Sequence, residues 1–443
     1  MSSLTRRPPR RLGLLSAGSL TLGTRVVVFA FSLLTNVILA RALGPSGRGV
    51  FALALLGPSV VVLAANLGIG NALCYYLARG TFETNRVIAH TLLMSLLLGC
   101  AALLVLLAIA LPFGSVLLPG VDLRLVAIGA ASIPLSLFFY FSIAFFQGLQ
   151  RFIDFNALYL VNACAMLLLL VPLVVLEKGG VTMAVLAWSL SWIPTAAVGL
   201  YLMARCGRLS IRFDRAIFVA FFQFGMVGYL SFVTSFFNYR FDSFLVNAFG
   251  NATQVGYYAV AVSLAEVIWY IPTAAATVLA PHVAEAAEGG ADRATGSVGR
   301  IVLVGTVFAS VALAVLAPLL VNILFGARFA PSVVAIWLLL PGVVAISVGR
   351  ILSGYLLGRN QQRVDLLATA SGLVVTLVLD VALIPRYGFA GAAVASSVAY
   401  TVTLLVNLFW VVRHSSLTVA EFLLPRWSDM RLLWSRRPWQ AAG

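Results

Sequence analysis

Apolar runs of about 20 residues recur along this sequence from end to end, and that repetition leaves few folds open. Twelve such runs can be placed, near residues 18–40, 50–70, 87–111, 122–146, 154–176, 181–202, 219–247, 255–280, 301–325, 332–357, 364–384 and 389–412. A segment of this length in hydrocarbon must satisfy its own backbone N–H and C=O groups, so each run reads as a membrane-crossing helix. With 62% hydrophobic and 10% charged residues, the composition excludes a soluble globular domain. No connection between the runs is long enough to fold separately. The expectation is an all-α polytopic membrane protein of about 12 transmembrane helices.

Basic residues set the orientation. With the N-terminus inside, most of the 29 Lys and Arg side chains fall on the inner face, from Arg6, Arg7, Arg10 and Arg11 to Arg436 and Arg437. The outer connections then hold Arg41, Arg48, Arg124, Lys178, Arg328 and Arg386. Both termini come out cytoplasmic. The net charge of +15 is therefore topology signal, available also to anionic lipid head groups, and needs no nucleic acid. The Arg-Pro start resembles a signal-peptide n-region, but the apolar run behind it is too long and lacks a small-residue cleavage site, so it reads as the first span. Cys74, Cys100, Cys164 and Cys206 are scattered and point to neither metal nor disulfides.

The chain repeats itself. Leu39-Ala-Arg-Ala-Leu-Gly44 leads to Gly49-Val-Phe-Ala-Leu-Ala54, and about 206 residues later Leu245-Val-Asn-Ala-Phe-Gly250 leads to Gly256-Tyr-Tyr-Ala-Val-Ala261. Gly148-Leu-Gln-Arg-Phe-Ile-Asp154 likewise echoes the stretch from Gly358 to Asp365. Six spans separate the copies, so both halves enter the membrane in the same direction, as two pseudo-equivalent six-helix lobes around a central cavity. The expected division is residues 1–210 for the N-terminal lobe, 211–413 for the C-terminal lobe, and 414–443 for a basic tail. Trp427, Trp434 and Trp439 among its arginines suit an amphipathic segment on the inner leaflet.

Three arginines lie inside the spans: Arg25, Arg240 and Arg350. A charge at that depth is costly unless it faces water or a partner, so it marks a functional site by default. On span one Thr21, Arg25, Ser32 and Asn36 share a helical face, and on span seven Ser231, Thr234, Ser235, Asn238 and Asp242 do the same. Spans one and seven would thus flank the shared cavity. Interhelical hydrogen bonding accounts for the Ser and Thr residues but not for Arg25 or Asp242. Arg240 and Asp242 point about 200° apart and cannot pair, which leaves Glu266 on span eight as the counter-ion of Arg240. Two readings of Arg240 stay open, a structural ion pair and a direct ligand. Arg25 and Arg350, one per lobe, could clasp a phosphate or diphosphate, since guanidinium forks suit its oxygens; snorkelling to the inner interface is the plainer alternative. A proton or sodium ion on Asp242 or Glu266 could couple transport. Asp380, just before Ile384-Pro385-Arg386, reads as an interface residue.

His90, His282 and His414 are far apart, without metal-ligand spacing, and no nucleophile elbow or phosphate loop is present, so no catalytic role and no cofactor is expected.

The whole chain resembles the polysaccharide-transporter branch of the multidrug/oligosaccharidyl-lipid/polysaccharide flippase superfamily. The resemblance is carried by Leu39-Ala-Arg-Ala-Leu-Gly-Pro-Ser-Gly-Arg-Gly-Val-Phe51, Leu67-Gly-Ile-Gly-Asn-Ala72 and Arg240-Phe-Asp242. It continues with Val255-Gly-Tyr-Tyr-Ala-Val-Ala261 and the stretch from Leu383 to Ala395. It implies a flippase of the bacterial inner membrane that moves undecaprenyl-diphosphate-linked oligosaccharide outward for O-antigen, capsule or exopolysaccharide assembly, by alternating access, beside a polysaccharide polymerase. Arg25, Arg240 and Asp242 fall where the family pattern tends to carry charge; Arg350 rests on its own depth in a span. Asp380 departs from the family, which more often shows Asn there. Twelve spans rather than fourteen speak against the peptidoglycan-precursor flippases. A cation-coupled drug exporter of the same superfamily competes with this reading, and a glycan polymerase or ligase does so less well, because its chemistry needs a sizeable outer loop.

Overall fold

The structure, a computed structural model, describes residues 14–285, 288–416 and 418–423. The arginine-rich start and the tryptophan-bearing tail lie outside the described residues.

Among the described residues the regular elements are all helical. In chain order they are α1 (Leu14–Asn66), α2 (Ile69–Arg79), α3 (Thr84–Leu117), α4 (Leu123–Ala130) and α5 (Ile133–Gly148). Then come α6 (Phe152–Leu170), α7 (Gly180–Ala204), α8 (Arg215–Phe249), α9 (Ala252–Ala265) and α10 (Tyr270–Glu285). The last are α11 (Glu288–Leu320), α12 (Ser332–Gly358), α13 (Gln362–Tyr387), α14 (Phe389–His414) and the short α15 (Val419–Leu423). Ten stretches of the described residues are long and apolar enough to cross a membrane, which makes this a multi-pass membrane protein. The first of them, Gly23–Asn66, holds two of the expected crossings. They join at Gly44, whose φ of 67° and ψ of −178° break the helix where a side chain would be strained. Every expected span falls on a helix or on helices stacked end to end; α9 and α10 form one crossing through a 3₁₀ turn, Glu266–Trp269.

By mutual packing the chain divides into two compact units. The first comprises residues 1–42, 54–115 and 121–229; the second comprises 43–53, 116–120 and 230–443. The longest continuous stretch of the second unit begins within α8, at Leu230.

In the first unit α5 packs on α2 and α7, and α6 lies along α7. The opening turns of α8 are fastened by aromatic rings, with Phe224 stacked on Tyr75 at 4.2 Å and Phe221 on Tyr76 at 5.6 Å between centroids. Asp214 caps α8 by accepting from the backbone N–H of Ala216 at 3.1 Å and of Ile217 at 3.3 Å. Its other oxygen takes the Arg86 guanidinium at 2.5 Å. That hydrogen bond holds the Asp214 carboxyl below the usual carboxylate range.

In the second unit α12 is central, in contact with α9, α10, α11 and α14, while α13 lies along α14. Leu279, Val283, Ile351, Leu352 and Leu356 form the core of one end, and Phe422 of α15 closes it, 1% exposed. The segment 43–53 packs here through glycines of the repeated motif. A Cβ on Gly49 would overlap the Ala252 carbonyl group, and one on Gly256 would overlap the Pro45 carbonyl oxygen, so only glycine lets these backbones approach.

Candidate functional site

The residues singled out in the sequence fall in three polar clusters among the described residues, one in the first unit and two in the second. In the first unit Arg25 of α1 is half-buried, its guanidinium carbon 4.1 Å from the Tyr159 ring centroid and 5.8 Å from that of Phe155. A guanidinium over a ring face gains from the ring quadrupole. No carboxylate bridges Arg25 among the described residues. Thr21, one turn earlier, accepts from Asn156 Nδ2 at 3.0 Å and ties α1 to α6. Asn36, on the same face, donates to the Ser32 carbonyl of its own helix at 2.9 Å. Arg25 thus rests on the aromatic side chains of α6.

The second cluster joins α8, α9, α13 and α14. Asp242 is 1% exposed and accepts from Tyr258 Oη, from Ser243 N at 2.6 Å and from Ser396 Oγ at 3.3 Å. One turn back on α8, Asn238 is equally buried, its Oδ1 accepting from Thr376 Oγ1 at 2.6 Å. Asp380 follows Thr376 by one turn of α13. It is 0% exposed, neither carboxyl oxygen has a hydrogen-bond partner, and it lies within electrostatic reach of Asp242. Asn238 and Asp242 share a face of α8, as their spacing requires, and their side chains meet Thr376, Tyr258 and Ser396 of the same unit. One sequence expectation is corrected here. Asp380 is no interface residue, because α13 runs on through Pro385 to Tyr387 and leaves it nearly two turns inside the helix. A sequence signal did exist: Thr376 and Asp380 are four apart, on one face of a helix.

The third cluster surrounds the 3₁₀ turn. With Asp242 turned inward, Arg240 comes out on the other side, its side chain 41% exposed and 3.2 Å from Glu266, itself 26% exposed. This is the geometry of the structural pair, and it occupies Glu266, which the sequence offered as a coupling carboxylate. Arg350 of α12 places its guanidinium carbon 4.9 Å from the Trp269 ring centroid and donates through Nη1 to Thr273 Oγ1 at 3.3 Å. Tyr239, Trp269 and Tyr400 pack with centroids 5.1, 5.5 and 5.9 Å apart. These aromatics went unremarked in the sequence, where Trp269 and Tyr239 look like ordinary span residues. Arg48, expected in an outer connection, is 8% exposed, with its guanidinium carbon 5.6 Å from the Phe51 ring centroid, because the joint between the first two spans is too short to carry it away. Among the described residues no group of three or more His, Cys, Asp or Glu side chains could hold a metal ion.

A family described as polysaccharide biosynthesis protein matches residues 38–334, well over half of the chain. The chain belongs to that family. Among solved structures, the lipid II flippase MurJ in an inward closed conformation is similar over 94% of this chain and 92% of its own, with a TM-score of 0.76 and 14% identity. A multidrug resistance transporter of the MATE family of the MOP superfamily, inward-facing, is similar over 89% of this chain and 97% of its own, with a TM-score of 0.72 and 17% identity. A MOP superfamily transporter from Pyrococcus furiosus follows at a TM-score of 0.60 and 17% identity, over 90% of this chain and 93% of that one. At such identities the likeness is one of fold: the chain has the fold of MOP superfamily transporters. No curated protein matches it in sequence.

Proposed function

We propose that this protein is a flippase that carries undecaprenyl-diphosphate-linked oligosaccharide units from the inner to the outer leaflet of a bacterial inner membrane, by alternating access, for O-antigen, capsule or exopolysaccharide assembly. Both termini are cytoplasmic in this reading, as the distribution of basic residues requires. The observation that carries it is Arg25, a guanidinium inside a membrane-crossing helix, stacked on Tyr159 and without a carboxylate bridge among the described residues. A diphosphate supplies the acceptor oxygens that such a fork takes up, and family membership supplies the polysaccharide pathway. Arg350 makes the corresponding offer in the second unit.

Outward movement of an anion is favoured by an inside-negative potential, by about 2.3 kcal/mol per charge per 100 mV. Asp242 and Asp380 add a second drive. Two buried carboxyl groups, one of them unpartnered, together with the Ser396 and Thr376 hydroxyls offer hard oxygens to a proton or a sodium ion, and binding there couples its inward movement to the cycle. No catalysis is involved, and a polysaccharide polymerase would take up the product on the outer face.

The test is a deletion strain. Inner-leaflet lipid-linked oligosaccharide should accumulate without the protein, clear with the wild type and stay high with Arg25→Ala. Clearance by the variant would remove Arg25 from the mechanism. Loss of organic-cation efflux in place of glycan accumulation would favour a drug exporter of the same fold.

A further inference from the structure

We propose that the 3₁₀ turn of the second unit builds a sugar-binding subsite, with Trp269 and Arg350 as its donors; the proposal rests on the flippase reading and names which part of the substrate this cluster takes. The turn Glu266–Trp269 interrupts an otherwise continuous membrane crossing, a distortion that a helix keeps where it serves a site. It sends Glu266 to Arg240 and the indole of Trp269 into the angle between Tyr239 and Tyr400. The Arg350 guanidinium lies against the same indole.

Two N–H groups in this cluster have nowhere to go. Nε1 of Trp269 and Nε of Arg350 are both shut away from solvent and have no acceptor. Orphaned buried donors are rare in folded chains, and two on touching side chains mark a place where a ligand supplies the acceptor. Beside them the Arg240 and Glu266 side chains are 41% and 26% exposed. Ions placed inside membrane crossings persist where they meet water, so the cluster borders a hydrated recess rather than acyl chains.

A sugar ring meets each of these demands. Its C–H face lies on aromatic rings, its vicinal hydroxyls bond planar guanidinium and carboxylate groups, and a carbonyl or carboxylate oxygen on the ring accepts from both orphaned donors. A bare diphosphate has no use for the Tyr239 and Trp269 rings or for the Glu266 carboxylate. An organic cation could meet the Glu266 carboxylate but offers no acceptor to the two orphaned N–H groups. The ligand class is therefore a pyranose bearing an sp² oxygen, either an N-acetyl group or a uronic carboxylate.

The experiment compares three short-chain probes on the purified full-length protein: geranyl diphosphate, geranyl diphosphate linked to an N-acetylhexosamine disaccharide, and the same lipid linked to a hexuronic-acid disaccharide. Binding is read by calorimetry. The expected result is tighter binding of at least one glycosylated probe than of geranyl diphosphate, and which one names the sp² oxygen. Trp269→Phe keeps the ring and deletes the donor. It should weaken that glycosylated probe about tenfold and leave geranyl diphosphate unchanged. Arg350→Lys keeps the charge and deletes the Nε donor. It should weaken the glycosylated probe by a larger factor than geranyl diphosphate, with both variants melting as the wild type does in the absence of ligand. Equal affinity for all three probes, or equal losses on the bare and glycosylated probes, overturns the sugar subsite while leaving the flippase reading standing. Binding of none of the three by the wild type overturns both.

Discussion

Replacing Asp380 by Asn should stabilise the protein and uncouple it. Asp380 is 0% exposed on α13, with both oxygens lacking a donor and with Asp242 near enough to repel it. A buried acceptor left unsatisfied costs about 1–3 kcal/mol, so two oxygens put the burden at about 2–6 kcal/mol, and the like charge adds to it. Asn has the same shape and removes the charge. A gain of about 2 kcal/mol is expected, which raises the melting temperature by about 4–8 °C for a unit of this size. The wild type has a different remedy, because an ion bound only to the folded site at 100 times its dissociation constant stabilises by about 2.7 kcal/mol. Melting of detergent-solubilised protein, scanned at one fixed rate with and without sodium and across pH, separates the two. The wild type should be stabilised by sodium or by acid, and Asp380→Asn should be more stable at the outset and indifferent to either. A variant that is no more stable in ion-free buffer, or that keeps the wild-type response, refutes the assignment of Asp380 to a cation site.

Gly49→Val should lower the melting temperature and fail to complement a deletion strain, since its side chain would overlap the Ala252 carbonyl; melting at the wild-type temperature would show that the 43–53 segment can pack elsewhere. Asp214→Ala removes the cap of α8 and should cost about 1 kcal/mol in denaturant or thermal melts. Because the Asp214 carboxyl is depressed in the folded chain, the stability it contributes is present at neutral pH and fades as pH falls below its ordinary 3.8 toward its lowered folded value; Arg86→Ala should shift that acid loss to higher pH, and an unchanged acid melt would contradict it. For the half-exposed Arg240–Glu266 pair, each neutral Gln variant should lose activity in the complementation assay and the double variant should regain part of it, the coupling being about 1 kcal/mol or less. A double variant as inactive as Arg240→Gln alone would make Arg240 a ligand.

The architecture was legible because hydrophobic length and short connections leave no other solution, and the importance of Gly49 and Gly256 was legible in the motif they share, since each lets the other's backbone approach. The pairing of Arg240 with Glu266 also followed from register alone, since residues two apart on a helix diverge. What the sequence withheld was rotation about each helix axis. Asn238 and Asp242 share a face, as their spacing requires, but spacing alone does not say that it meets Thr376, Tyr258 and Ser396. Asp380 was obscured by Pro385, which resembles a helix end but lies inside the last turn of α13. Trp269 was obscured for a different reason: a four-residue 3₁₀ turn inside a crossing leaves no mark on hydropathy, and only the backbone reveals that the indole has been turned onto Arg350.

The central claim is that guanidinium groups inside the helices carry a diphosphate-linked glycan across the bilayer. Flipping of a fluorescent lipid-linked oligosaccharide in sealed proteoliposomes tests it most directly, with Arg25→Lys beside the wild type. The wild type should move the lipid between leaflets. The lysine variant, which keeps the charge but loses the planar fork over Tyr159, should be at least about tenfold slower. Equal rates for the two proteins, or no flipping by the wild type above protein-free vesicles, would contradict the account.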